Sequence, residues 1–248
     1  MSDSSSQSDS GGSGPVYKRV LLKVSGESLC ETGGTGFARE AIDAVVQEIR
    51  AIREAGVEVA VVTGGGNLIR GAQLTQIAID RGTADYMGML GTVINALAIQ
   101  GALEEAGIQT RVLSAIAIDQ VVEPYIRRRA TRHLEKGRVV ILGAGTGNPF
   151  VSTDTAAALR ARELGCEVVL KGTKVGGVFT KDPVRHDDAE IITEIDHLEV
   201  INKHLEVMDH TALTMCREAR LPIIVFNMLE PGNIERVIRG ERIGTVIS

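Results

Sequence analysis

The feature that most narrows how this chain can fold is a repeated local pattern: a short apolar run that ends in a glycine-rich turn. RVLLKV leads into KVSGES (Lys23–Ser28), VEVAVV into GGGNLIRG (Gly64–Gly71) and RVVIL into GAGTGNP (Gly143–Pro149). Short apolar runs bounded by turn residues read as buried strands. Glycine lets the backbone approach a bound group closely and adopt φ > 0 without steric cost. A turn that leaves a strand and opens toward a helix presents free N–H groups that suit phosphate. Three such turns imply more than one polyanion, or a transfer between two. No G-x-x-x-x-G-K-[ST] occurs, so the chain carries no standard P-loop.

Between these turns, strand-like and helix-like segments alternate. Residues 37–55 space Ile42, Val45, Val46, Ile49 and Ile52 along one helical face. A long helix is expected from about Thr83 to Ala106, with apolar residues around most of its girth. Such a helix is buried on several sides, in the core or against a second subunit. Further strands are expected at Arg111–Ser114, Glu167–Lys171, Pro222–Phe226 and Gly244–Ile247. A helix is expected at Thr153–Leu164, capped by Ser152 or Thr153 and ended by Gly165. Thr173–Asp188 reads as a loop or hairpin, and Asp196–Arg220 as one helical stretch. Strands alternating with helices imply a largely parallel sheet covered on both faces. Sites in such sheets lie at the carboxyl ends of the strands, where all three glycine turns fall. With 248 residues, 44% of them hydrophobic, the chain can build one large α/β domain or two small ones. Residues 1–15, rich in Ser, Gly and Asp, offer little to bury and read as a disordered tail.

The net charge of −5 argues against a nucleic-acid binder. The one basic cluster, Arg127–Arg129, reads as a solvated helix face or turn. Cys30, Cys166 and Cys216 form no C-x-x-C, which fits a reducing cytoplasm. The histidines form no H-x-x-x-H pair, so a structural zinc site is unsupported. No signal peptide and no apolar run of membrane-spanning length is evident.

Single residues carry two readings each. Lys23, at the end of the first strand, can reach a phosphate or snorkel to solvent. Arg70 can swing back onto a phosphate with its planar donor fork, or form a surface ion pair. Thr146, Asn148, Ser152 and Thr153 offer hydrogen bonds to a base, a sugar or a phosphate. Asp154 is either a favourable charge at a helix N-terminus or the holder of a nearby lysine. Lys171 and Lys174 add positive charge, and Phe179 offers a flat surface for a purine.

Taken together, YKRVLLKVSGESL, GGGNLIRG, D-x-MGMLGTVINALA, VILGAGTGNPFVSTDTAA, KGTKVGGVFTKDP, LEVMDHTA and IIVFNM resemble the amino-acid kinase superfamily. Within it they are most similar to the bacterial-type UMP kinases, from about Val16 to the C-terminus. The resemblance implies a three-layer α/β/α sandwich with a largely parallel central sheet. Residues 16–248 would form a single domain with an acceptor-binding N-terminal half and an ATP-binding C-terminal half. It implies ATP-dependent phosphorylation of UMP to UDP with Mg2+ held mainly by the ATP phosphates and no protein metal site. It also implies a cytoplasmic homohexamer activated by GTP and inhibited by UTP, with no nucleic-acid or membrane partner. Carried over by motif, the catalytic set is Lys23, Arg70 and Asp154, with Asp154 orienting cationic groups. Lys23, Val24, Ser25 and Gly26 meet the ATP phosphates, Gly66 and Arg70 the transferred group, and Thr173, Phe179 and Asp182 the ATP nucleoside. Gly65 meets UMP and Asp85 its ribose. The acceptor lining is Thr146, Gly147, Asn148, Pro149, Phe150, Val151, Ser152 and Thr153. Glu31, Thr32, Gly33, Gly34, Thr35 and Gly36 align with the GTP-response segment. Asp209 falls in a family motif with no role attached. One departure stands out: Gly176 occupies the place of a usual Asp.

Three rival readings differ in class. A sister kinase acting on carbamate or an amino acid lacks a use for the GTGNPF segment. A nucleotide-binding sensor would not require Lys23, Arg70 and Asp154 together. A dinucleotide-binding dehydrogenase would need a G-x-G-x-x-G after its first strand.

Overall fold

The computed structural model describes residues 14–69, 78–181, 186, 188–205 and 207–248. The expectations for Arg70, Asp182 and residues 1–13 of the N-terminal tail lie outside the described residues. The strands are β1 (Arg19–Val24), β2 (Glu58–Thr63), β3 (Thr110–Ser114), β4 (Glu123–Pro124), β5 (Val139–Gly143), β6 (Val168–Thr173), β7 (Val178–Phe179), β8 (Ile191–Ile192), β9 (Glu194–Ile195), β10 (Ile223–Asn227) and β11 (Thr245–Ile247). The helices are α1 (Arg39–Glu54), α2 (Arg81–Glu105), α3 (Arg127–Glu135), α4 (Thr153–Leu164), α5 (His197–Asn202), α6 (His210–Ala219) and α7 (Asn233–Ile238).

The central sheet runs β4-β3-β5-β2-β1-β6-β10-β11-β9. All its pairings are parallel except β10 with β11. Period-2 alternation along β1 divides the core. Val20, Leu22 and Val24 face α1, α2 and α7, packing with Ile49, Val93 and Val237. Leu21 faces the opposite layer, with Ala157 and Leu164 of α4, Leu134 of α3 and Leu213 of α6. Ala157, Ala158 and Ala161 let α4 lie close against the strands. The result is the expected α/β/α sandwich.

Several boundaries sharpen. Ser152 caps α4, accepting the Thr155 N–H at 3.0 Å, and Gly165 closes the helix at φ 68°. The stretch Asp196–Arg220 is two helices rather than one. Asp209 separates them: its carboxylate caps α6 by accepting the Ala212 N–H at 3.0 Å, an interaction a continuous helix would not need. The Thr173–Asp188 hairpin extends further than expected, pairing β7 antiparallel with β8. Arg127–Arg129 sit exposed in the first turn of α3, the solvated face anticipated.

Helix α2, at 25 residues, has the length and apolar composition of a membrane span, which corrects the expectation that no such run exists. Its packing identifies it as a core helix. Val93, Ala96, Ile99 and Leu103 are buried under the sheet, and two polar residues, Thr92 and Asn95, are buried with them.

Candidate active site

Four neighbouring strands, β5-β2-β1-β6, release their carboxyl-end loops side by side. Those loops are the third glycine turn, the second, the first, and the segment after Thr173. Sheet geometry therefore sets them in a row that the chain order 1-2-5-6 does not reveal.

Beneath the first turn lies a cation cluster. Lys23 shares a face with Leu21 and is in register with Lys171 on the adjacent strand. Both ammonium groups converge on Asp154 in the first turn of α4, Lys23 at 3.0 Å and Lys171 at 2.9 Å. All three side chains are largely buried, between 12% and 17% exposed. Burial alone would raise the Asp154 carboxyl, but the two lysine charges outweigh it and hold it below the ordinary carboxylate range. Burial lowers the Lys171 ammonium, with Asp154 partly offsetting the shift and Lys23 adding to it. Lys171 Nζ also donates to the Val207 carbonyl. Of the two readings for Asp154, lysine holder describes its geometry. Lys171 belongs to this cluster as firmly as Lys23 does; its place at a strand end was the sequence signal for it.

The first two glycine turns are pressed together. A Cβ on Gly26 would come within 2.7 Å of both the Gly64 carbonyl oxygen and Asn67 Oδ1. A Cβ on Gly65 would sit 2.7 Å from the Gly88 carbonyl oxygen of α2. Glycine is thus a requirement of close approach at both positions. Gly66 is different: a Cβ there would make only an ordinary contact, 3.9 Å from the Glu27 side chain. Asn67, fully buried, closes the turn with its amide paired reciprocally to that of Asn95, at 3.0 and 2.7 Å. It also donates to the Gly36 carbonyl at 2.8 Å, while the Gly36 N–H donates to the Asn67 carbonyl at 2.9 Å. The end of the Glu31–Gly36 segment is therefore tied to the second glycine turn.

The third turn is strained. Ala144 and Phe150 hold φ of 59° and 66°, values costly for non-glycine residues, beside Gly145 and Gly147 at 56° and 80°. Asp85, near the start of α2, accepts the Phe150 N–H at 2.8 Å and pairs with Arg81 at 2.8 Å. At the far end, Asp209 accepts from the Ser152 hydroxyl and, at 2.8 Å, from the Thr155 hydroxyl. That links the start of α4 to the start of α6 and gives Asp209 a structural part. Arg160, 6% exposed, stacks on Tyr125 at 3.9 Å and donates to the Gly145 carbonyl at 3.2 Å.

Between the second and third turns lies a cleft of about 200 Å3. Gly65, Asp85, Thr146, Asn148, Val151, Ser152 and Thr153 line it, and so does Gly66. Gly147, Pro149 and Phe150 shape the loop without lining the cleft, and Phe150 is 72% exposed. Arg81, Ala84 and Thr92 of α2 join the lining, and sequence reasoning did not single them out. On the other side of the cation cluster, the Thr173 hydroxyl donates toward the carbonyls of Val175, at 2.7 Å, and Phe226, at 3.1 Å. Phe179 is half-buried in the hairpin beyond it. A Cβ on Gly176 would meet only Ile191, at 3.7 Å.

Among the described residues no three Asp, Glu, His or Cys side chains stand close enough to hold a metal ion. Asp154 faces an ammonium group with each carboxylate oxygen, which leaves it unsuited to a divalent cation. The donor set fits a metal delivered with phosphates better than a resident one.

Comparison with known proteins gives this geometry a context. The model of the amino acid kinase family matches residues 18–227. The uridylate kinase of Rubrobacter xylanophilus is 51% identical over all of this chain and 97% of its own length. The crystal structure of UMP kinase from Bacillus anthracis superimposes with a TM-score of 0.92 at 40% identity, covering 94% of this chain and 96% of that one. UMP kinase from Ureaplasma parvum gives 0.88 at 34% identity, covering 93% and 98%. Likeness of this extent, spanning both the glycine turns and the lysine-bearing strands, settles the ancestry: the chain belongs to the amino acid kinase family, and within it to the uridylate kinases.

Proposed function

We propose that this protein transfers the γ-phosphoryl group of ATP to UMP, yielding ADP and UDP for pyrimidine nucleotide synthesis. The order of loops across β5-β2-β1-β6 carries the reading. An acceptor in the cleft between the third and second turns and a donor over the first turn and the Thr173 loop would meet above Gly66 and Lys23.

The attacking UMP phosphate oxygen is already anionic, so no general base is required. An in-line displacement forms the new P–O bond as the bond to the ADP oxygen breaks, and the electron pair leaves with ADP. Positioning and charge neutralisation then account for the catalysis. Lys23, oriented by Asp154, faces the migrating group, with backbone N–H groups of Gly26 and Gly66 beside it. Arg70 is assigned to the same group by motif. A Mg2+ ion delivered with ATP would supply further neutralisation of phosphate charge. Asp85, Thr146, Asn148 and Ser152 bind the acceptor, and Thr173, Phe179 and Asp182 the donor nucleoside.

The functional unit is a cytoplasmic homohexamer, activated by GTP and inhibited by UTP. Tyr86, Leu90 and Ile94, an apolar stripe one helical turn apart on α2 and each 46–48% exposed, support burial of this face against another subunit. The bond between Gly36 and Asn67 supports Glu31–Gly36 as a segment able to influence the second turn. Light scattering should return a mass near six chains, and a stable monomer would refute the hexamer.

Acceptor identity is tested by offering ATP and Mg2+ with UMP, CMP, carbamate, aspartate and glutamate separately. ADP release should be fastest with UMP. Preference for another acceptor would move the chain to a sister activity, and no release with any would leave a nucleotide-binding protein without turnover.

A further inference from the structure

Helix α2 is apolar almost throughout, yet it buries two polar side chains, Thr92 and Asn95, 5% and 0% exposed. They lie three residues apart on one face, together with Gly88 and Gly91. That face crosses directly beneath both acceptor-side turns. Gly65 packs against this face so closely that a Cβ on it would lie 2.7 Å from the Gly88 carbonyl oxygen, and its Cα lies 3.7 Å from the Cβ position of residue 91. Gly143 leaves room for Val93, 3.1 Å from its own Cβ position. The polar pair then bonds in both directions. Asn95 donates to the Gly64 carbonyl at 2.7 Å and holds Asn67, so it fixes the second turn. Thr92 donates to Met89 of its own helix at 2.7 Å, which aims its oxygen outward to accept the Ala144 N–H at 2.7 Å. Ala144 is the left-handed residue that opens the third turn.

We infer that Thr92 and Asn95 are positioning residues that set the spacing between the acceptor loop and the transfer turn. The inference rests on the phosphoryl-transfer reading above and extends it to two residues of the MGMLGTVINALA segment to which the resemblance assigned no role. A buried hydroxyl and a buried carboxamide are expensive unless fully bonded. Here every bond they make beyond their own helix goes to a glycine turn or to its closing asparagine. Helix α2 thereby acts as a rigid ruler, and an error of about 1 Å in such spacing is enough to slow transfer markedly.

The two residues hold different turns, so their loss should read differently in steady-state kinetics. Thr92→Val keeps the shape and removes the hydroxyl. It should raise KM for UMP by about tenfold while KM for ATP stays within about twofold. Asn95→Ala should instead lower kcat by about tenfold with little change in KM for UMP. Thr92→Ser, which restores the hydroxyl, should recover the wild-type KM for UMP. A merely structural role would move all the constants together, or move only Tm, and either pattern overturns the inference. A second measurement needs neither variant nor substrate. In the wild-type protein the Ala144 amide should be strongly protected from hydrogen exchange, and rapid exchange there would also overturn it. Wild-type turnover of UMP, run in the same assay, reports separately on the activity itself: its absence with a protected Ala144 amide would sink the UMP reading, and the spacing role with it, while leaving the Thr92–Ala144 bond intact.

Discussion

Lys23→Ala should lower kcat by on the order of 10²–10³-fold while KM for UMP stays within about twofold, as expected for loss of a charge that acts mainly in the transition state. Lys23 sits at the end of a central strand, largely buried, with its ammonium aimed by Asp154. Nothing about it depends on the cleft where the acceptor would lie, since Lys23 is not among the residues that line that cleft. The fold should survive the change, because Asp154 retains its pair with Lys171 at 2.9 Å. Kinetics and thermal unfolding on the same preparation check both halves. Near-normal turnover would remove Lys23 from the chemistry, and a collapsed Tm would make the loss of activity uninformative about catalysis and point to a structural lysine.

Asp154→Ala should be the most damaging to stability, costing about 3–5 kcal/mol, because it leaves buried like charges without their counter-ion. Lys23 and Lys171 lie in register on adjacent strands, so their ammonium groups would then face each other across the sheet. Urea titration measures the loss directly, and a change below about 1 kcal/mol, typical of exposed pairs, would refute the account. The pH dependence gives a second handle. In the wild type, the folded Asp154 carboxyl titrates below its unfolded value of about 3.9. Its contribution is therefore complete above that value and is lost as pH falls through the lower folded one. In the variant the sign reverses in position. Lys171, already lowered, would be lowered further, so its unfolded form holds a proton that its folded form does not. Stability of Asp154→Ala should consequently recover as pH rises toward the ordinary lysine value near ~10.4. A deficit that stays constant up to that pH would show that the lysines are not the cause.

Much of the fold was legible because local rules agreed with the global arrangement. Apolar runs became central strands within a residue or two, and Ser152 and Gly165 bounded α4 where cap chemistry placed them. The failures came where a short-range pattern was interrupted by a long-range demand. Asp196–Arg220 read as one helical stretch, but Asp209 is drawn out of it to accept from Ser152 and Thr155 at the start of α4. Two-residue strands such as β4 and β9 carry no periodicity at all and exist only because a neighbouring strand offers partners.

The site divides in the same way. The motifs pointed to the glycine turns, Lys23, Asp85 and the Thr146–Thr153 segment, because backbone approach and charge placement demand particular residue types, and the structure gathers the second and third turns and Asp85 around one cleft. They could not show that Thr92 and Asn95 matter, since a Thr and an Asn inside an apolar helix are common and meaningless until their partners are known. By itself the sequence determined the strands, the turns that need glycine and the family of the chain. Tertiary structure alone decided the order β5-β2-β1-β6, which sets the third, second and first glycine turns and the segment after Thr173 in a row. The physical reason is that strand order is chosen by packing and crossover connections between distant segments. No residue's local preferences encode which strand will lie beside its own.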